Sequence, residues 1–147
     1  MKTVHERELA TSASAVGELV DDPSRMWPAR WPPITDAGIG FLRHEPLGHS
    51  AGEWRSYKIT GPRGLHACHG WEVEGRAGGA TLRHTVEGRV TGTMRVAWPL
   101  VVRPIHDALH EDILDQAERA VGGALPERRW TPWVRALRWA IGKAGRS

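Results

Sequence analysis

Cysteine is almost absent from this sequence. Cys68 stands alone, so no disulfide can form within the chain and nothing calls for an oxidising compartment. Phenylalanine and tyrosine are nearly as scarce, one of each, and eight tryptophans carry the aromatic load. No apolar run approaches the roughly 20 residues that cross a bilayer. Met1 to Leu9 is charged and lacks the apolar centre of a signal peptide, so the cytoplasm is the expected compartment. A basic body is missing too. Residues 1–125 hold 14 Lys and Arg against 16 Asp and Glu, a net −2, while residues 126–147 hold six against one, a net +5. Phosphate backbones need a basic face, so no nucleic-acid partner is expected. No glycine-rich loop opens a helix after a strand, and no nucleophile–His–Asp signature is present, so neither nucleotide binding nor a local catalytic triad is indicated.

What is present fits one domain, residues 1–125, with a basic extension over residues 126–147. A chain of 147 residues is long enough to bury a core or enclose a pocket. Residues 2–9 read as a strand. Ser12 is a good N-cap for a helix from about Ala13 to Val20, which Asp21-Asp22-Pro23 ends. A rigid Trp/Pro segment, WPARWPP, follows at 27–33, after one helical turn at Ser24–Trp27. Strand-like pieces at 39–45, 53–60, 65–74 and 81–90 are divided by Gly48 to Gly52, Gly61-Pro62-Arg63-Gly64 and Gly78-Gly79, the pattern of an antiparallel meander.

Period-two alternation assigns faces on the last two strands. Ala67, His69, Trp71 and Val73 share one side. Leu82, His84, Val86 and Val90 alternate against Arg83, Thr85, Glu87 and Arg89, so His84 points inward with its apolar neighbours. Cys68 falls on the outer face. The pieces at 39–45 and 53–60 do not alternate cleanly and their faces stay open. From about Pro99 to Val121 the period is helical, with Pro104 kinking the first turn or marking the true start, and Gly122-Gly123 ending it. Val102, Ile105, Leu109, Ile113, Ala117 and Ala120 form the apolar stripe. Asp107, Glu111, Asp115 and Glu118 lie opposite, and His106 and His110 fall beside the stripe. Residues 127–144 predict a second amphipathic helix, with Trp130, Trp133, Val134, Leu137 and Ile141 on one side and Arg128, Arg135 and Arg138 away from it. Trp139 sits among the charges.

The order strand, short helix pair, meander, long C-terminal helix resembles the START-like helix-grip superfamily (SRPBCC). Residues 12–23, SASAVGELVDDP, are similar to its N-terminal capped helix, although Gly17 replaces the usual bulky aromatic after Val16, a change that widens the cavity or loosens the helix. Residues 81–113, TLRHTVEGRVTGTMRVAWPLVVRPIHDALHEDI, look like the last strand and gripping helix of bacterial polyketide cyclase/dehydrase-like proteins. The resemblance covers about residues 2–122. It implies an α+β fold in which a curved antiparallel sheet wraps around the long helix and a ligand cavity lies between them.

In such a fold the inward His residues of strand and helix become neighbours. Imidazole titrates near neutrality and both donates and accepts protons. His84 and His106 are the candidate acid–base pair, with His69 and His110 orienting or binding. Trp71 belongs in the wall, and Trp27 and Trp31 in the loop that closes the mouth. The resemblance implies a small hydrophobic or aromatic, polyketide-like ligand that is cyclised or dehydrated. The same cavity also suits a non-catalytic carrier or sensor. No cofactor is implied. His106 and His110, at i,i+4, have metal-chelating spacing that a strand His could complete, but HDALH lacks the Glu of a zincin helix and no metal is expected. Trp and Arg on the tail suit a membrane surface less well than packing on the chain itself or on a second copy in a homodimer.

Overall fold

The computed structural model describes residues 1–34, 38–39 and 42–144. Six strands form one antiparallel sheet: β1 (Lys2–Leu9), β2 (Gly38–Ile39), β3 (Leu42–Ser50), β4 (Trp54–Gly61), β5 (Leu65–Arg76) and β6 (Gly79–Val90). Their order is β1-β6-β5-β4-β3-β2, so the first strand pairs with the last. Helix α1 (Ala13–Asp21) and a 3₁₀ turn (Pro23–Met26) connect β1 to β2. Ser12 Oγ accepts the Ala15 N–H, as its N-cap identity predicted. After β6, α2 (Met94–Ala97), a π-helical turn (Trp98–Val102) and α3 (Arg103–Ala120) follow without a break, and α4 (Pro132–Ala144) ends the described chain. No helix among the described residues is long and apolar enough to cross a membrane.

The alternation read on β5 and β6 holds. Leu65, Ala67, Trp71, Leu82, His84 and Val86 are buried, and Cys68 is exposed. β3 could not be read because its register slips twice against β4, between Arg43 and His44 and between Pro46 and Gly48. A bulge advances the side-chain phase by one residue and destroys the period-two signal.

Three expectations change. The helical rod begins at Met94, before both prolines, rather than near Pro99. Pro104 has no N–H to give the Leu100 carbonyl four residues back. That carbonyl accepts the Trp133 indole N–H instead, at 2.8 Å. The acidic side of α3 does not face away into water. It lies on β1, where His5 and Arg7 point inward: His5 pairs with Asp107 (3.1 Å) and Glu111 (3.2 Å), and Arg7 bonds Asp115 and Glu118, both at 2.8 Å. The tail helix starts at Pro132, not 127, because Thr131 Oγ1 caps the Val134 N–H and proline fits the first helical position. Trp130 therefore precedes the helix and is not part of its stripe.

Gly17 neither widens the cavity nor loosens α1. It lets the helix touch the β3–β4 turn: a Cβ there would lie 2.3 Å from the Gly52 carbonyl oxygen. Gly52 itself has φ +73°, and its N–H donates to the Asp21 carboxylate at 2.9 Å. Gly17→Ala should cost about 1–3 kcal/mol through forced displacement of this contact. Urea unfolding monitored by tryptophan fluorescence measures it, and an unchanged midpoint refutes the close approach.

Candidate functional site

Sheet and helical rod enclose a cavity of about 250 Å³, at the small end of ligand-binding sites. The sheet contributes His44, Tyr57, His69 and Trp71, and the rod contributes Trp98, Ile105, His106 and His110. Trp27 and Trp31 form part of the mouth, where the sequence placed them, and Arg138 and Ile141 of α4 join them. His69, Trp71, His106, His110, Trp27 and Trp31 thus all line one cavity.

His84 is the exception. It is 0% exposed and does not reach the cavity surface. Its register partners are His5 on β1 and Trp71 on β5, so it sits mid-sheet. The His110 ring stacks on it with centroids 3.7 Å apart. The acid–base pair read from sequence therefore splits: His106 faces the cavity, and His84 lies one layer behind the wall.

Six of the eight histidines form a continuous array. On the sheet, His44 Nδ1 lies 2.9 Å from His69 Nε2, and His69 Nδ1 lies 3.2 Å from His84 Nε2. His69 pairs with Val86 in the ladder, which makes His84 its diagonal neighbour, a spacing that ring side chains bridge. On the helix, His110 Nδ1 donates to the His106 carbonyl (2.9 Å), and His106 Nδ1 lies 3.4 Å from Asp107. His5 completes the array, its ring centroid 5.6 Å from that of His106.

Burial sets the charge of these rings. It pushes His69 down to about 3, helped by His44 and His106. Burial, then mutual repulsion with His110, drives His84 well below its ordinary value, and His110 falls for the same reasons with His106 as neighbour. His106 is lowered by burial despite its bond to Asp107. His5 behaves oppositely: burial lowers it, but the hydrogen bonds to Asp107 and Glu111 overcome burial and raise it. Burial thus favours the neutral form of the four inner rings, and the carboxylates favour the protonated form of His5.

The mouth is held by a residue the sequence reading passed over. Asp112 is 3% exposed. One of its oxygens accepts the indole N–H of Trp31 (2.6 Å) and of Trp130 (2.9 Å), and Arg30 bonds both. Arg138, expected to lie away from the apolar side, is stacked over Trp31 (4.1 Å) and Trp130 (3.9 Å). Together with buried Val134, these contacts seat the tail on its own chain. Trp139 is 63% exposed beneath Lys143, and Trp133 keeps much of its ring in water. His44, Tyr57, His5, Asp112 and Arg138 were all missed. Tyr57 and Ile59 do alternate with Lys58 and Thr60, a signal short enough to overlook.

An antiparallel sheet curved over a long C-terminal helix, with a cavity between them, decides the architecture. The fold is the helix-grip fold. Solved structures agree. CalU16 from Micromonospora echinospora aligns at TM-score 0.60 and 14% identity over 97% of this chain and 83% of its own. DynU16, a protein of the dynemicin biosynthetic locus, aligns at 0.56 and 18% over 89% and 56% respectively. Norcoclaurine synthase from Thalictrum flavum, solved with a transition-state analogue, aligns at 0.54 and 13% over 81% and 94%. No family model matches the chain, and no curated protein does.

Two outcomes follow. Rings held neutral in the fold but protonated at 6.5 when unfolded make the unfolded state bind more protons. Stability should thus be full above pH 6.5 and fall as pH drops below it, down to about 3 for His69, by up to about 1.4 kcal/mol per unit for each ring. Urea midpoints in chelating buffer from pH 8 to 4 test the sign, and a flat profile refutes neutral rings. Asp112→Ala should cost about 3 kcal/mol, because Arg30 and two indoles lose their acceptor, and tryptophan emission should shift to the red.

Proposed function

We propose that the protein binds a small, flat, apolar or aromatic molecule in the cavity, of the polyketide-like class, and acts on it by acid–base chemistry. The observation that carries this reading is an apolar pocket with buried imidazoles in its wall, which burial shifts toward the neutral form. A neutral imidazole offers one donor and one acceptor, which enolisation and dehydration both require. The geometry supports revised roles. His106 and His69 are the candidate catalytic groups, since both line the cavity; His69, whose two nitrogens bond His44 and His84, would exchange its proton by giving up one of those bonds, and His110 lies beside them as a ligand contact. His84 is a positioning residue that orients His69 through their hydrogen bond. Trp71 and Trp98 supply flat walls, and Trp27 and Trp31 exclude water at the mouth.

At the mouth, Arg138 Nη1 is buried and has no hydrogen-bond partner. Arg138 Nη2 bonds the Arg30 carbonyl oxygen at 2.6 Å. A buried guanidinium N–H left unmatched favours a ligand that presents a carbonyl or carboxylate oxygen there. The similarity to a protein of the dynemicin biosynthetic locus and to norcoclaurine synthase supports this reading in kind.

The test is binding of 2-naphthoate, followed by quenching of tryptophan fluorescence. Ile105→Phe, which fills the cavity from the helix side, should weaken binding at least tenfold while leaving the urea midpoint within about 1.5 kcal/mol of wild type. Unchanged binding in this variant places the probe elsewhere and ends the proposal. If naphthoate binds, His69→Gln and His106→Gln should each abolish turnover of any identified substrate without loss of binding.

A further inference from the structure

The nitrogen bookkeeping of the inner histidines leaves a residue of three. His84 Nε2 is engaged by His69, His106 Nδ1 by the Asp107 carboxylate, and His110 Nδ1 by the His106 carbonyl. Each ring is thus held at one nitrogen by a second group. The nitrogens that remain are His84 Nδ1, His106 Nε2 and His110 Nε2. The first two are fully buried and have no hydrogen-bond partner at all, a costly condition for polar atoms. One ring nitrogen from each of these three histidines lies within 4.8 Å of the other two.

We propose that His84, His106 and His110 form a binding site for a borderline divalent transition metal such as zinc or cobalt. Three neutral imidazoles are the donor set that such ions take, and each ligand already has the outer partner that fixes its tautomer. A tetrahedral ion with bonds of about 2.0 Å requires donors roughly 3.3 Å apart. The rings therefore swing inward on binding, and the two orphaned nitrogens gain a partner together. The sheet relay is compatible. When His84 Nε2–H donates to His69 Nδ1, and His69 Nε2–H donates to His44 Nδ1, the lone pair of His84 falls on Nδ1. His106 and His110 line the cavity, so an ion they held would have room for a further ligand on that side. With both His106 nitrogens then engaged, the ion would take over the part proposed for His106, polarising a carbonyl oxygen of the bound molecule or activating a water, and His69 would remain as the acid–base group.

A second grouping, His5 with His106 and Asp107, also brings three donors together. It is the weaker site because both nitrogens of His5 already pair with carboxylates. HDALH lacks the Glu of a zincin helix, and Asp107 was expected on the side opposite the apolar stripe. Asp107 instead serves as the outer partner of His106.

The experiment is titration of the chelator-stripped full chain with cobalt(II) alone, read by visible d–d absorption, and with zinc by calorimetry. One ion per chain, with the intense visible bands of four-coordinate cobalt, is the expected result. His106→Gln and His84→Asn should abolish it. Asp107→Asn, at a half-exposed position that leaves the core untouched, should weaken zinc about 10–100-fold. His66→Asn and His5→Gln should keep the site. Absence of the bands in the wild-type chain overturns the proposal, and so does binding that survives His106→Gln or is lost in His66→Asn. Loss in His5→Gln with retention in His84→Asn assigns the ion to the other grouping and equally overturns it. Naphthoate binding by the stripped chain is measured alongside, so failure of the metal site leaves the cavity reading standing.

Discussion

The rotation of the long helix about its own axis is the constraint from which the site follows. Asp107, Glu111, Asp115 and Glu118 recur at intervals of three to four residues and make one acidic stripe. β1 turns His5 and Arg7 toward that stripe, and Arg128 from the tail adds a second cation to Asp115 at 3.0 Å. With the stripe locked to the edge strand, the residues one position earlier, His106 and His110, are turned by about 100° onto the sheet. They arrive over His84, which pairs with His5 in the ladder. Charge pairing at the sheet edge and burial of Leu109, Ile113 and Ala117 in the core therefore turn the helix the same way and together set the imidazole array. These ion pairs are partly exposed, so their worth is in fixing the helix's angle more than in net stability.

Asp112 plays the corresponding part at the mouth. A carboxylate this deeply buried is tolerated only when its oxygens are matched by donors. Here two indole N–H groups and a guanidinium converge on it from the 27–33 loop and the tail. Apolar walls alone would leave Trp31 and Trp130 free to slide over each other. Sharing one acceptor holds the rings in a T-shaped contact at 5.5 Å, with Arg138 lying against both. The tail thus becomes part of the cavity. Its basic composition reflects this docking, because Arg128 and Arg138 are used against the acidic stripe and the tryptophans.

Most of the architecture was legible because β5, β6 and α3 each keep one period over ten residues or more. Those elements carry His69, Trp71, His84, His106 and His110, whose inward faces were legible, although His84 stops short of the cavity. What escaped reading did so for identifiable reasons. His44 sits at a bulge, where alternation breaks. His5 and Arg7 lie on a strand whose inward side is polar, so hydropathy gives no sign of which face is covered. Asp112 is one acid among several on α3, and only the converging indoles distinguish it. The helix start was misread because two prolines are ordinarily terminators. Here a π-helical turn and the Trp133 indole accommodate what they remove.

The remaining question is why a small cavity should be bordered by so many histidines. Burying charged rings at this density is prohibitive, since each would repel the next across 4–6 Å in a medium of low polarity. Neutral rings escape that cost but acquire another: every one has a nitrogen that must donate and one that must accept. In a chain such as His44–His69–His84 the direction of donation is shared, so fixing one end fixes all three tautomers. The helix pair is fixed independently, by a carbonyl and a carboxylate. Where the two systems meet, at His84, His106 and His110, the hydrogen-bond partners run out. A cavity bordered in this way presents basic nitrogen without buried charge. That combination accepts a proton, a ligand hydroxyl or a cation, and a purely apolar pocket of the same shape accepts none of them.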